Sequence, residues 1–206
     1  MARRRIPWDS GTWTNAPVSA AVDDDGHLVA EAAEGSDYWL RTMYGFERDS
    51  GHAYLTPWKK GDAMEVSLDL EDFGGLFEQG GLMVWHSPSK WIKTGFEIND
   101  GIPYIGAVAT DEFSDWSLFP IPPEWMGQEL TIRVSVIEDA VLIRARVADG
   151  SWVTLRAARF PYGDDLQAGP YLCAPDSSGL KIRFTDWALT AADEDAHVDP
   201  PIEVYE

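Results

Sequence analysis

Residues 129–150, "ELTIRVSVIEDAVLIRARVADG", decide the fold class. Ile132, Val134 and Val136 alternate with Thr131, Arg133 and Ser135. That period of two puts successive side chains on opposite faces of a strand. After Glu138 and Asp139 the alternation resumes, with Val141, Ile143, Ala145 and Val147 opposed by Leu142, Arg144 and Arg146. Two such runs joined by two residues make a hairpin. A second hairpin is signalled by Asn99, Asp100 and Gly101, residue types that tolerate positive φ in a tight connection. It joins "WIKTGFEI" at 91–98 to "IPYIGAVAT" at 102–110. Further strands are expected at 27–32, 37–44, 51–56, 62–70, 79–86, 115–119, 152–159, 170–175 and 181–190.

Helical periodicity is nearly absent, and about a dozen strands exceed what one open, twisted sheet accommodates. The expected fold is therefore all-β, a two-sheet jelly-roll-like sandwich. Residues 1–206 are expected to form a single domain, with a peripheral C-terminal tail over about 191–206 in which Val204 and Tyr205 can pack on a neighbouring surface.

Sixteen Lys and Arg against 35 Asp and Glu give a formal charge of -19, a field that repels phosphate backbones and anionic lipid. Nucleic acid and membrane are thus not expected as partners, and the Arg3-Arg4-Arg5 run reads as a loose end. Cys173 is the one cysteine, so no intramolecular disulfide forms, and it reads as a small buried hydrophobe. The N-terminus reaches Pro7, Trp8 and Asp9 without the apolar segment of a secretion signal, which leaves the cytoplasm as the expected compartment.

Chemistry enters with residues 78–97, "EQGGLMVWHSPSKWIKTGFE". In the strands it contributes to, 79–86 and 91–98, Gly80, Leu82, Val84 and His86 lie on one side of the first and Ile92, Thr94, Phe96 and Ile98 on one side of the second, the aliphatic sides towards the expected core. The other face bears Gln79, Trp85, Trp91, Lys93 and Glu97. A solvated outer face seldom carries large rings. Rings interleaved with hydrogen-bonding groups suit a sugar, whose C–H face stacks while its hydroxyls seek polar partners. The alternative is that Trp85 and Trp91 pack beneath a loop while Lys93 and Glu97 make cross-strand ion pairs. Lys93 and Glu97 lie about 13 Å apart along their strand, too far to touch directly.

The succession "DYWLRTMYGFERDSGH" (37–52), "EQGGLMVWHSPSKWIKTGFEINDG" (78–101) and "VATDEFSDWS" (108–117) resembles the YesU-like proteins, a family of unknown function grouped with the concanavalin A-like lectin/glucanase fold. The matching blocks are 38–46, 79–84, 91–97 and 108–116, with 61–70 extending the likeness. Gly80 stands where that family usually has Ala, and Trp85 where a polar or basic residue is usual. The resemblance implies a sandwich with a concave face and a place near carbohydrate metabolism, and no particular reaction.

The expected ligand is a carbohydrate or other small polar molecule, with Trp39, Trp85, Trp91 and Trp116 as stacking platforms. Gln79, Lys93, Glu97 and Asp115 would give directional hydrogen bonds, and Arg41 and Tyr44 would extend the face. An alternative is a carbohydrate-active enzyme, a glycosidase or sugar isomerase, with Glu97 and Asp115 as candidate catalytic residues. Glycoside hydrolysis needs two carboxyl groups, about 5–5.5 Å apart for retention and roughly 6.5–9.5 Å for inversion. Asp115, Asp111, Glu47 and Glu65 are the candidates for the second. A further alternative is an interaction module, with the aromatic face as a homodimer seam. No cofactor is expected. No metal is expected either, because His27, His52, His86 and His197 lack ligand spacing and "VDDDGH" (22–27) lacks the later bidentate Glu of a calcium loop.

Overall fold

The computed structural model describes residues 3–71, 73–162 and 165–201. Strands are β1 (Arg4–Arg5), β2 (Thr12–Trp13), β3 (Ser19–Val22), β4 (Leu28–Glu31), β5 (Tyr38–Leu40), β6 (Glu47–Asp49), β7 (His52–Trp58), β8 (Asp62–Asp69) and β9 (Gln79–Ser87). They continue as β10 (Lys90–Asn99), β11 (Ile102–Asp111), β12 (Phe113–Pro120), β13 (Glu129–Ile137), β14 (Ala140–Val147), β15 (Val153–Arg159), β16 (Leu166–Cys173) and β17 (Lys181–Ala191). Two antiparallel sheets form a sandwich of concanavalin A-like type. The first runs β15-β14-β13-β8-β17-β4-β3 with β1 added on β17; the second runs β12-β11-β10-β9-β16-β7-β2. Among the described residues, β5 and β6 pair only with each other. The strands not expected from the sequence, β1, β2, β3 and β6, span two to four residues, too few for alternation to register.

Both expected hairpins form. Ile137 pairs with Ala140 across Glu138-Asp139, and Asn99 with Ile102 across Asp100-Gly101, where both turn residues have positive φ (51° and 76°). The expected strand at 37–44 stops at Leu40, because Arg41 and Met43 take φ of 61° and turn the chain into β6.

The core lies between the sheets, with Ile132, Val134, Val141 and Ile143 of the first sheet meeting Leu82, Val84, Ile92 and Phe96 of the second. Gly80 sits on this inner face, where an added Cβ would lie 2.3 Å from Ile182 Cδ1. Gly80→Ala is therefore expected to destabilise the sandwich by about 1–3 kcal/mol through overpacking. Urea denaturation checks this; an unchanged midpoint would show that Ile182 yields freely.

The outer face of the first sheet is buried as well. Arg133 and Arg144, register partners on β13 and β14, are each under 3% exposed and share Asp193. Arg144 also bonds Asp199 and the carbonyls of Ala196 and Val198. Residues 192–201 are thus strapped across the sheet rather than trailing from it. Val204 and Tyr205 lie outside the described residues. At the other terminus Arg3 is not a loose end: it pairs with Glu65 and Asp186.

Candidate functional site

The outer face of the second sheet is built in cross-strand rows. Gln79, Glu97 and Tyr104 form one; Gly81, Gly95 and Gly106 the next; Met83, Lys93, Val108 and Trp116 a third; Trp85, Trp91, Thr110 and Ser114 the last. Only glycine fits the second row: a Cβ on Gly81 would meet the Thr94 carbonyl oxygen at 2.2 Å, and one on Gly106 the Ser117 carbonyl oxygen at 2.0 Å. The missing side chains leave a trough between the Lys93 and Glu97 rows. Lys93 leans along it, donating from Nζ to Gln79 Oε1 at 2.8 Å and to Asp37 Oδ1 at 2.9 Å.

Residues 38–49 fold over part of this face. Leu40 N donates to Ser114 Oγ at 2.9 Å, while the Tyr38 ring packs on Trp85 (5.9 Å) and Trp91 (5.7 Å). A satellite apolar cluster results, with Met83, Val108, Tyr171 and Cys173 beneath Tyr38, Trp39 and Leu40. Where this cover ends, a cavity of about 380 Å³ opens. Its floor is Gln79, Lys93, Glu97 and Val108, and its walls are Trp39, Tyr44, Phe46 and Arg48 from the covering hairpin, with Trp116, Phe77, Asp37, Pro175 and Asp176 around them. Trp39 and Trp116 meet edge to face with centroids 6.1 Å apart, and Tyr44 stacks on Phe46.

Six residues singled out from the sequence thus come together: Trp39, Tyr44, Gln79, Lys93, Glu97 and Trp116. Four lie elsewhere. Trp91 is 1% exposed beneath Tyr38, and Trp85 is packed on the same ring. Arg41 pairs with Glu47 at the hairpin tip. Asp115, register partner of Ala109, points away from Trp116 and pairs with Arg156 at 2.7 Å. None of the carboxylates considered as a partner for Glu97 shares its cavity: Asp111 pairs with Lys90, Glu47 with Arg41, and Glu65 with Arg3 and Arg133 on the other sheet. The carboxylates that do are Asp37, which directly precedes β5, and Asp176, which follows β16. Phe46, Arg48, Phe77 and Pro175 also line the cavity without having been singled out: Phe46, Phe77 and Pro175 lie just beyond strand ends, and Arg48 is on the three-residue β6.

The electrostatics are uneven. Burial opposes the Lys93 ammonium, yet the charge and hydrogen bond of Asp37, with Glu97 adding to them, outweigh it, and its pKa is raised. Burial pushes the Glu97 carboxyl up to about 7, with Lys93 pulling it down and Asp37 pushing it further up. The Cys173 thiol is pushed up to about 12, chiefly by burial, and stays neutral. Glu97 is 7% exposed, and its carboxyl accepts no hydrogen bond from any described residue.

An ordinary carboxyl ionises near pH 4.5 in the unfolded chain, so between there and pH 7 unfolding releases the Glu97 proton. The stability this group contributes is complete below pH 4.5 and lost as the pH rises to 7, a span worth roughly 3 kcal/mol. Glu97→Gln is expected to abolish this slope and to be the more stable protein at pH 8. Equal pH dependence of the two unfolding curves would contradict the assignment.

In the acidic turn at 22–27, Asp23, Asp25 and His27 bring ligand atoms within 4.8 Å of one another, but Arg183 occupies the carboxylates, 3.0 Å from Asp23 and 2.6 Å from Asp25.

This arrangement can be set beside known proteins. The chain is 34% identical over 182 residues to regulation of enolase protein 1 of Saccharomyces cerevisiae, covering 88% of this chain and 89% of that protein. A crystal structure of a functionally unknown Saccharomyces cerevisiae protein superposes with a TM-score of 0.81 at 33% identity, over 89% of this chain and 97% of that one. A xylan β-1,4-xylosidase from Bacillus halodurans C-125 shares the fold alone, with a TM-score of 0.67 at 10% identity over 90% of this chain and 38% of that one. Residues 13–192 match the model of a family described as protein of unknown function (DUF1349), and the chain belongs to that family.

Proposed function

We propose that the protein binds a mono- or oligosaccharide in the cavity over the Lys93 and Glu97 rows. One observation carries the reading: an aromatic-walled cavity whose floor holds polar groups with unused bonding capacity. Lys93 has three donors and spends two on Asp37 and Gln79. Glu97 accepts none from any described residue. A buried polar group without a partner is costly, and an opening beside it is where a ligand supplies the bond. Trp39, Tyr44, Phe46 and Trp116 offer ring faces for the C–H side of a pyranose, and the volume falls in the range of about 300–1,000 Å³ that small-molecule sites occupy.

The likeness of fold to a xylosidase and the YesU-like resemblance point towards the same ligand class, by analogy alone. The aromatic surface that a homodimer seam would need is largely covered by the chain's own hairpin, which favours a small ligand over a second copy.

Native mass spectrometry with neutral and uronic-acid oligosaccharides, xylo-oligosaccharides included, tests the reading. An intact adduct is expected, weakened at least tenfold by Trp116→Ala, which corresponds to about 1.4 kcal/mol. Binding that survives both Trp116→Ala and Trp39→Ala unchanged would place the site elsewhere, and no adduct at millimolar sugar would end the proposal.

A further inference from the structure

The bonding pattern on the cavity floor favours chemistry beyond binding, and the inference rests on the carbohydrate reading. Three carboxylates line the site, Asp37, Glu97 and Asp176, but they are not equivalent. Asp37 Oδ1 accepts from Lys93 Nζ and from the Tyr38 backbone N–H at 2.8 Å, so Asp37 is committed as the counterion of a buried ammonium. Asp176 is exposed at the rim, so among the described residues Glu97 is the one buried carboxyl of the cavity without a hydrogen-bond partner, and the glycine row beside it lets a ligand approach the sheet closely. A single buried, unbonded carboxyl is a poor basis for glycosidic cleavage, which divides acid and nucleophile or base between two carboxyl groups held on either side of the bond. It suits a different reaction. A carboxyl group presents a donor and an acceptor on one carbon, and the anomeric carbon of a reducing sugar presents an acceptor and a donor in the same way, as ring oxygen and hydroxyl.

We propose that Glu97 catalyses the opening and closing of the hemiacetal ring of a reducing aldose held in this cavity, through a cyclic contact between its carboxyl group and the anomeric centre. One Glu97 oxygen gives its proton to the ring oxygen as the bond from that oxygen to the anomeric carbon breaks. The other takes the proton of the anomeric hydroxyl, whose oxygen becomes the carbonyl. The sugar is now the open-chain aldehyde, and the carboxyl is neutral again with its proton on the other oxygen. Closure on the opposite face of the carbonyl reverses these steps and yields the other anomer. Atoms and electrons balance, and no co-reactant is required.

The reaction needs the protonated carboxyl, and the surroundings of Glu97 retain it. Burial in the aromatic-walled cavity raises its pKa, Asp37 raises it further and Lys93 on the same strand opposes both. The other titratable or charged groups around it are Tyr104 beside it on β11, Tyr171 and Cys173 on β16, and Arg48 and Asp176 on the cavity walls. A group titrating near the working pH is the most effective proton-transfer catalyst.

The test is one NMR sample of the full chain with D-glucose or D-xylose. Saturation transfer from protein to sugar reports binding, and exchange between the α and β anomer signals reports ring opening. The expected result is transfer together with exchange at least 100-fold faster at the bound sugar than in a protein-free blank, within the range for general acid–base catalysis. The accelerated rate should fall as the pH rises through about 7. Glu97→Gln, folded by its thermal transition, should keep the transfer and lose the acceleration. Transfer without acceleration in the wild-type protein overturns the catalytic proposal and leaves carbohydrate binding standing. Acceleration that survives Glu97→Gln also overturns it. Absence of transfer to either sugar, and to xylo-oligosaccharides, overturns both.

Discussion

Asp193→Ala is expected to lower the unfolding free energy by about 3–5 kcal/mol, the range for removing one partner of a buried ion pair. Its carboxylate accepts from Arg133 Nε at 2.9 Å and from Arg144 Nε at 3.2 Å, and its side chain is 1% exposed. Arg133 and Arg144 are register partners, so without Asp193 two buried guanidinium groups face each other. Glu65 still neutralises Arg133 and Asp199 still pairs with Arg144, which keeps the cost finite. For a chain of this length the loss corresponds to roughly 6–20 °C in Tm. Differential scanning calorimetry measures it. A shift below about 2 °C would mean that water replaces the carboxylate and that the 192–201 strap is an ornament of the sheet.

Lys93→Met is expected to cost a similar amount, about 3–5 kcal/mol, for the converse reason. Asp37 would keep the Tyr38 amide but lose its cation, and Gln79 Oε1 would lose its donor. The change also predicts a displacement of the Glu97 titration. Lys93 lowers the Glu97 pKa and Asp37 raises it, so Lys93→Met moves the midpoint above 7 while Asp37→Asn moves it below. Carbon-13 NMR of labelled glutamate side chains follows both. Displacements in the same direction would show that the three groups are not coupled as the structure places them.

How much of this the sequence discloses depends on whether a residue lies in an alternating run. Residues 129–147 specify both their hairpin and their inner face, because period-two alternation over eight or nine residues leaves one register that buries the aliphatic side chains. Asn99-Asp100-Gly101 specifies its turn because two consecutive positive φ values suit few other residues. The same alternation puts Gln79, Lys93 and Glu97 on one face, which is why three of the four floor residues are readable. It also separates Asp115 from Trp116, because neighbours along a strand point to opposite faces and the segment is strand throughout β12.

Other features were not readable in this way. Trp85, Trp91 and Trp116 are equally aromatic and equally outward, and only the fold of residues 38–49 decides that Tyr38 covers the first two and leaves Trp116 on the cavity wall. Asp37 meets Lys93 across 56 residues of sequence, and Pro175 and Asp176 arrive from farther still. The polar outer face of the first sheet resembled a solvated surface, since alternation cannot show that residues 192–201 and Arg3 lie over it.

The central claim is that the cavity above Glu97 takes a sugar. The ten tryptophans carry ten indole N–H groups, and a titration of the nitrogen-15-labelled protein with xylo-oligosaccharides follows them individually. Trp39 and Trp116, on the cavity walls, are expected to shift in a saturable way, while Trp187, buried between the sheets, stays fixed. Indole signals that remain unmoved at millimolar sugar, or that shift only at tryptophans away from the cavity, would contradict the claim.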